Sequence, residues 1–179
     1  MRWFLFLFLS CLSNTNYSLI NVSDITIYDT FALGPPVQQA KWHQDPRVRV
    51  CTTAEVAFHR VSAAIKYWEM LGYRFGGIAM DESLNCGTPR HGEIIITLPD
   101  PGIDPKHIAA TRIYTEKISG YIAKAQVFIY PNQSKKQRVL EHEMGHALGW
   151  MHHRAKFHIM HPNWMEGGYG HTGLRKERD

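Results

Sequence analysis

Among its 179 residues the chain has only three cysteines, a single short run of strongly apolar residues, no block of charge of one sign, and no internal repeat or low-complexity tract. Each shortage removes a class. A membrane-spanning helix needs about 20 consecutive apolar residues, and the run from Trp3 to Leu9 is far shorter. The formal charge is +4, but the cations are scattered, with their densest groups at Lys135, Lys136, Arg138 and at Arg175, Lys176, Arg178. Without aromatic residues interleaved among them, these groups read as a solvated helix face and a basic tail rather than a nucleic-acid surface. What is present is ordinary: 44% hydrophobic and 20% charged residues, enough for one globular domain with its own core. A monomer with no nucleic-acid partner is the expectation.

The N-terminus, Met1-Arg2-Trp3-Phe4-Leu5-Phe6-Leu7-Phe8-Leu9-Ser10-Cys11-Leu12, has one positive charge, an apolar stretch and then small polar residues. That order matches a secretory signal peptide, assigned to residues 1–18, and a secreted or extracytoplasmic product. Cys11 leaves with the signal, or takes a lipid if this is a lipoprotein site. Cys51 and Cys86 then remain as an even pair in an oxidising compartment, where a disulfide between them is favoured. Asn21-Val22-Ser23 and Asn132-Gln133-Ser134 match the glycosylation pattern.

Residues 19–45, with Gly34-Pro35-Pro36, show little periodicity and read as an extended leader into a domain at residues 46–179. From Arg47 to Cys51 the chain alternates like a strand. Thr52 and Glu55 offer a capping box for a helix whose apolar stripe is Val61, Ile65 and Trp68, stopped by Gly72. Strand-like runs follow at Tyr73 to Ala79, Glu93 to Leu98, Thr111 to Tyr114 and Tyr121 to Tyr130. Ser134 and Gln137 form a second capping box, ahead of a helix with Val139, Leu140, Met144, Ala147 and Leu148 on its apolar face and Gly149 at its end. This order predicts an α/β sandwich with one mostly parallel sheet.

The second helix carries the chemistry. His142-Glu143-Met144-Gly145-His146 puts two imidazoles four residues apart, on one helical face and within reach of one metal ion. A catalytic zinc needs three protein ligands and one open position. Gly149 can take positive φ and turn the chain back, which brings His152 to the metal as the third ligand. Five positions fixed within a span of eleven residues make chance a poor explanation. A structural helix with surface histidines would not require Glu143 and Gly149 where they stand.

This extended signature resembles the metzincin metallopeptidases, in particular their matrixin-like branch. The spacing from His152 to Met160 resembles that between the last ligand and the methionine turn, and Ile159-Met160-His161-Pro162 is similar to the Met-Tyr-Pro of that turn. Ala64-Ile65-Lys66-Tyr67-Trp68 followed by Phe75 looks like the family's first helix and second strand, and Gly92-Glu93-Ile94-Ile95-Ile96 like its third. The likeness covers roughly residues 46 to 165. It implies a twisted, mostly parallel five-stranded sheet, two long helices and a zinc endopeptidase with one catalytic Zn²⁺. Its substrate pocket would be lined by Trp164, Pro162 and Leu148, and Ala109 and Ala110 would lie on the strand edge that holds an extended peptide. A hydrophobic residue just after the cleaved bond is the expected preference. His161 departs from the family's tyrosine, the stretch after Met160 is short and glycine-rich, and Cys86-Gly87-Thr88-Pro89 echoes a propeptide cysteine motif at an unusual place.

Other groups compete for the metal. His153 follows His152 directly and cannot share its direction, while His158 and His161 flank the methionine turn. Glu166 is the rival third ligand, at the spacing a gluzincin would use, although Pro162 and Gly167-Gly168 disfavour the helix that class needs. With His152 in place, zinc would activate a water, Glu143 would be its general base, and Met160 would pack beneath the imidazoles. A hydrolase restricted to one target and a catalytically idle zinc module are the other readings.

Overall fold

The structure is a computed structural model that describes residues 17–21, 34–83 and 85–176. The expected signal peptide lies outside these residues except for Tyr17 and Ser18, and so does most of the first part of the leader. Six strands, β1 (Tyr17–Asn21), β2 (Arg47–Cys51), β3 (Ile78–Asp81), β4 (Glu93–Thr97), β5 (Ala109–Glu116) and β6 (Ile122–Ile129), form one sheet in the order β1-β5-β6-β4-β2-β3. β2, β3, β4 and β6 run parallel, whereas β5 is antiparallel to β6. Among the described residues the α-helices are α1 (Phe58–Glu69) and α2 (Val139–Ala147).

The α/β class and the mostly parallel sheet of β2 to β6 are as expected. A sixth strand is not. β1 pairs antiparallel with β5, Tyr17 opposite Glu116 and Asn21 opposite Arg112, so a segment divided between signal and leader contributes backbone to the sheet edge.

Sequence alternation decides which face of the sheet meets which layer. Val48, Val50, Ile94, Ile96, Ala125, Val127 and Ile129 point to one face, where Val61, Ala64 and Trp68 of α1 and Leu140, Met144 and Ala147 of α2 complete the main core. Ile95 lies on the other face with the Cys51–Cys86 disulfide, and all three central isoleucines of β4 are buried, as expected of a strand covered on both sides. Arg49 is buried on this second face, where its guanidinium donates to Asp81 at 2.7 Å, to Glu93 at 3.0 Å and to the Thr88 carbonyl at 2.8 Å. A buried cation is tolerated because each of its sides has an acceptor.

Local signals were less reliable at the helix starts. Thr52–Ala54 is a single 3-10 turn, Glu55 is left-handed at φ 52°, and α1 begins after Ala57 with no side-chain cap. Ser134 donates its hydroxyl to the Pro131 carbonyl instead of capping α2, which starts after Arg138 at φ 69°. Both capping boxes therefore fail, because the chain turns sharply just where each box would need continuous helix. The strand expected from Tyr73 begins only at Ile78, after Gly77 at φ 111°.

The leader packs onto the domain from Val37 onward. Gln39 N–H donates to the Gly149 carbonyl and Met151 N–H to the Val37 carbonyl. The Trp42 indole donates to the Ala147 carbonyl at 2.8 Å, and Ala40 is buried. Residues 37–42 thus brace the end of α2.

Candidate metal centre

Helical geometry projects His142 and His146 from one face of α2, one turn apart. Gly149, at φ 93°, ends the helix, and a Cβ there would run into the Ala40 carbonyl, its carbon only 2.9 Å away. Only glycine permits both the left-handed turn and the close approach of the leader. The reversed chain brings His152 back. Nε2 of His146 lies 3.0 Å from Nε2 of His142 and 3.1 Å from Nε2 of His152, a convergence of three donors able to hold a metal ion.

The far nitrogens set the tautomers. Nδ1 of His142 lies 2.7 Å from the Ile159 carbonyl, and Nδ1 of His146 lies 2.7 Å from the Trp150 carbonyl. A carbonyl only accepts, so each Nδ1 carries the proton and each Nε2 presents a lone pair. Burial holds His142 down to about 4, against the Ile159 carbonyl, which pulls the other way, and holds His152 down to about 3, with neighbouring imidazoles opposing a further proton there. His146, still more enclosed, is also lowered by burial. All three are neutral at physiological pH, the form that binds metal.

Glu143 lines the same cleft and is 6% exposed. Burial pushes its carboxyl up to about 7, against the Thr111 hydroxyl, which pulls the other way. That hydroxyl donates to the Glu143 carboxylate at 2.6 Å and lies 3.2 Å from the Glu143 carbonyl. Sequence reading missed Thr111. It stands 32 residues from Glu143, and only the inward alternation of β5 hinted at a buried position.

Met160 is fully buried. It packs under α2 at Gly145, where a Cβ would strike its sulfur and approach Trp68 Cζ2 to 2.6 Å. Trp68 itself donates its indole N–H to the Glu141 carbonyl at 2.8 Å, which ties α1 to the helix that carries His142 and His146. Buried Glu141 faces Arg60 at 3.4 Å across the same interface.

The rivals lie elsewhere. Glu166 is outside the three-histidine group, with one carboxylate oxygen accepting from Asn163 at 2.8 Å and the other 3.8 Å from His161 Nε2. His153 rests edge-on against His158 at 4.5 Å between ring centroids. His158 is buried, accepting from Met160 N–H and donating toward the Thr172 carbonyl. His161 lines the cleft without joining the group.

The cleft has a volume of about 720 Å³, and Ala109, Pro162 and Trp164 line it beside the histidines. Leu148, expected in the pocket, is not among its walls, and Ala110, expected on the strand edge, keeps its backbone there while its side chain turns away. Ala110 points to the opposite face of the sheet, packed with Ile103 and Phe128. Leu148 is buried and borders a second cavity of about 530 Å³ on the leader side. Each is displaced by one step of local geometry: in a strand, Ala109 and Ala110 must face opposite ways, and Leu148 leaves the cleft face as the helix ends. Since β1 covers β5 from Arg112 to Glu116, the part of that edge lacking a strand partner among the described residues is Ala109 to Thr111, beside the metal group. No known family model matches the chain, and no curated protein is significantly similar to it. No helix among the described residues is long and apolar enough to cross a membrane.

Proposed function

We propose that the chain is a secreted zinc-dependent endopeptidase of metzincin type. One observation carries the reading: three imidazole nitrogens converge at 3.0–3.1 Å in a cleft that also holds a buried carboxylate, Glu143. Zinc at about 2.0–2.1 Å from each nitrogen in tetrahedral array would set neighbouring donors about 3.3 Å apart, close to the spacing found. Three neutral nitrogens and no thiolate suit zinc, and a set of three protein ligands would leave it a position for water. His142, His146 and His152 would hold the ion, which when bound lowers the pKa of a water and polarises a carbonyl.

Glu143 supplies the proton transfers. Its carboxylate, adjacent in sequence to a ligand and oriented by Thr111, accepts a proton from the attacking water and returns it to the leaving amine. A carboxyl raised toward neutrality by burial is suited to both directions, since it gives up a proton nearly as readily as it takes one. The edge from Ala109 to Thr111, which has no strand partner among the described residues on the β1 side, offers backbone groups to an extended peptide. The Cys51–Cys86 disulfide supports an oxidising compartment and hence export.

The deciding experiment compares the parent protein with Glu143→Gln on a casein-type substrate. We expect cleavage by the parent, its loss in chelator, and a fall of about 10²–10⁴-fold in Glu143→Gln with zinc still bound. Zinc retention with no cleavage by the parent of any peptide at any pH would instead support a metal-binding module.

A further inference from the structure

The walls of the metal cleft are cationic. Lys106 stands on the side of β5, Lys136 and Arg138 on the side of α2, and the only carboxylate among the lining residues is Glu143. Glu143 faces inward to Thr111 and is buried, so it does not neutralise the rim. Among the described residues none of Lys106, Lys136 and Arg138 forms an ion pair. Glu166, on the adjoining loop, is turned to Asn163 and His161.

Trp164 lies where an apolar side chain of the substrate was expected to dock, but its ring is already occupied. The Arg138 guanidinium carbon lies 5.1 Å from the ring centroid and the Lys136 ammonium 5.6 Å. Arg138 also donates to the Trp164 carbonyl at 3.0 Å, and the indole N–H donates to the Gln137 carbonyl at 3.1 Å. The left-handed backbone of Arg138 fixes where its side chain leaves the helix start. A guanidinium stacked on an indole through its face can still meet a carboxylate through N–H groups in its plane.

We propose that the cleft selects acidic polypeptides, with a substrate carboxylate docking against the Arg138 guanidinium on Trp164 and the two lysines adding favourable field. Arg138 is the specificity-determining residue, because a planar guanidinium can meet a carboxylate through two parallel hydrogen bonds whereas an ammonium acts as a point charge. The cationic rim also raises the encounter rate of acidic substrates, and salt weakens that effect. This proposal rests on the peptide-cleaving reading, and it replaces the apolar preference expected from the sequence.

The test uses one set of otherwise identical peptides carrying Glu, Leu or Lys at the residue just after the cleaved bond. Two readouts run in parallel: kcat/KM with the parent protein, and fluorescence-anisotropy binding to zinc-loaded Glu143→Gln. Glu is expected to exceed Leu by about tenfold or more, the discrimination of one charge-assisted hydrogen bond, with Lys poorest and the advantage falling as salt rises. Arg138→Asn, chosen because asparagine tolerates left-handed backbone, should bring the Glu-to-Leu ratio close to one. Lys136→Met, which leaves the helix start alone, should lower it by a smaller factor. Leu equal to or better than Glu in the parent, or a ratio unmoved in both variants, would overturn the proposal. If no peptide is cleaved, the endopeptidase reading fails, and the binding ratio still decides the acidic preference.

Discussion

Thr111→Val tests the most specific claim about the chemistry, because valine keeps the shape of threonine and removes only the hydroxyl. The threonine is fully buried, and its hydroxyl donates to the Glu143 carboxylate at 2.6 Å. A hydrogen bond to a charged partner contributes about 1.5–3 kcal/mol, and one pKa unit corresponds to about 1.4 kcal/mol. Thr111 stabilises the ionised form, so its loss should raise the Glu143 titration by about one to two units from the value near 7 that burial already produces. A bound zinc shifts the starting point but leaves the sign of this change. The acidic limb of the kcat/KM profile against pH should therefore move upward by about one unit or more. Zinc content should match the parent, since Thr111 does not hold any of the three histidines. The measurement is a pH profile on a fluorogenic peptide with metal analysis of the same samples. An acidic limb that superimposes on the parent's, with zinc retained, would refute the role given to Thr111.

Other outcomes follow from separate parts of the structure. Gly149→Ala places a Cβ against the Ala40 carbonyl at a left-handed position, which costs at least about 1–2 kcal/mol from the backbone alone; zinc competition assays should show weakened binding as His152 is displaced, and parent-like affinity would count against this account of the turn. The lowered values at His142 and His152 mean that the unfolded chain takes up protons first, so stability of the metal-free protein is full above pH about 6.5 and is lost as pH falls through about 4 and then about 3. Thermal melts across that range should show the decline, and zinc release monitored with a chromophoric chelator should fall well below pH 6.5; half-release at 6.5 would contradict the burial of the site. Reducing the Cys51–Cys86 bridge, which spans 35 residues of sequence, should lower unfolding stability by about 3–4 kcal/mol on the loop-entropy account, read from denaturant curves of the Cys51→Ser, Cys86→Ser double variant.

The metal group was legible in the sequence because its geometry is largely local. An i, i+4 pair of histidines on one helix, a glycine that permits reversal and a third histidine three residues later specify their relation through backbone dihedrals alone, and the structure brings the three together. The alternation in Arg47–Cys51 and the run of isoleucines in Glu93–Thr97 likewise announced their strands and buried faces. Helix starts were not legible in the same way. Thr52 with Glu55 and Ser134 with Gln137 have the right spacing for capping, but tertiary turns at Glu55 and Arg138 set the boundaries instead.

By itself, then, the sequence determined the three candidate ligands, the carboxylate beside them and the α/β class, since these depend on periodicity and on spacing within a few residues. Only the tertiary structure decided what surrounds them. It placed Thr111 on Glu143, Ala40 against Gly149 and two cations on Trp164, and it turned Ala110 and Leu148 out of the cleft. Those relations join residues far apart in the chain, so they follow from how the sheet, the helices and the leader pack, and no local pattern encodes them.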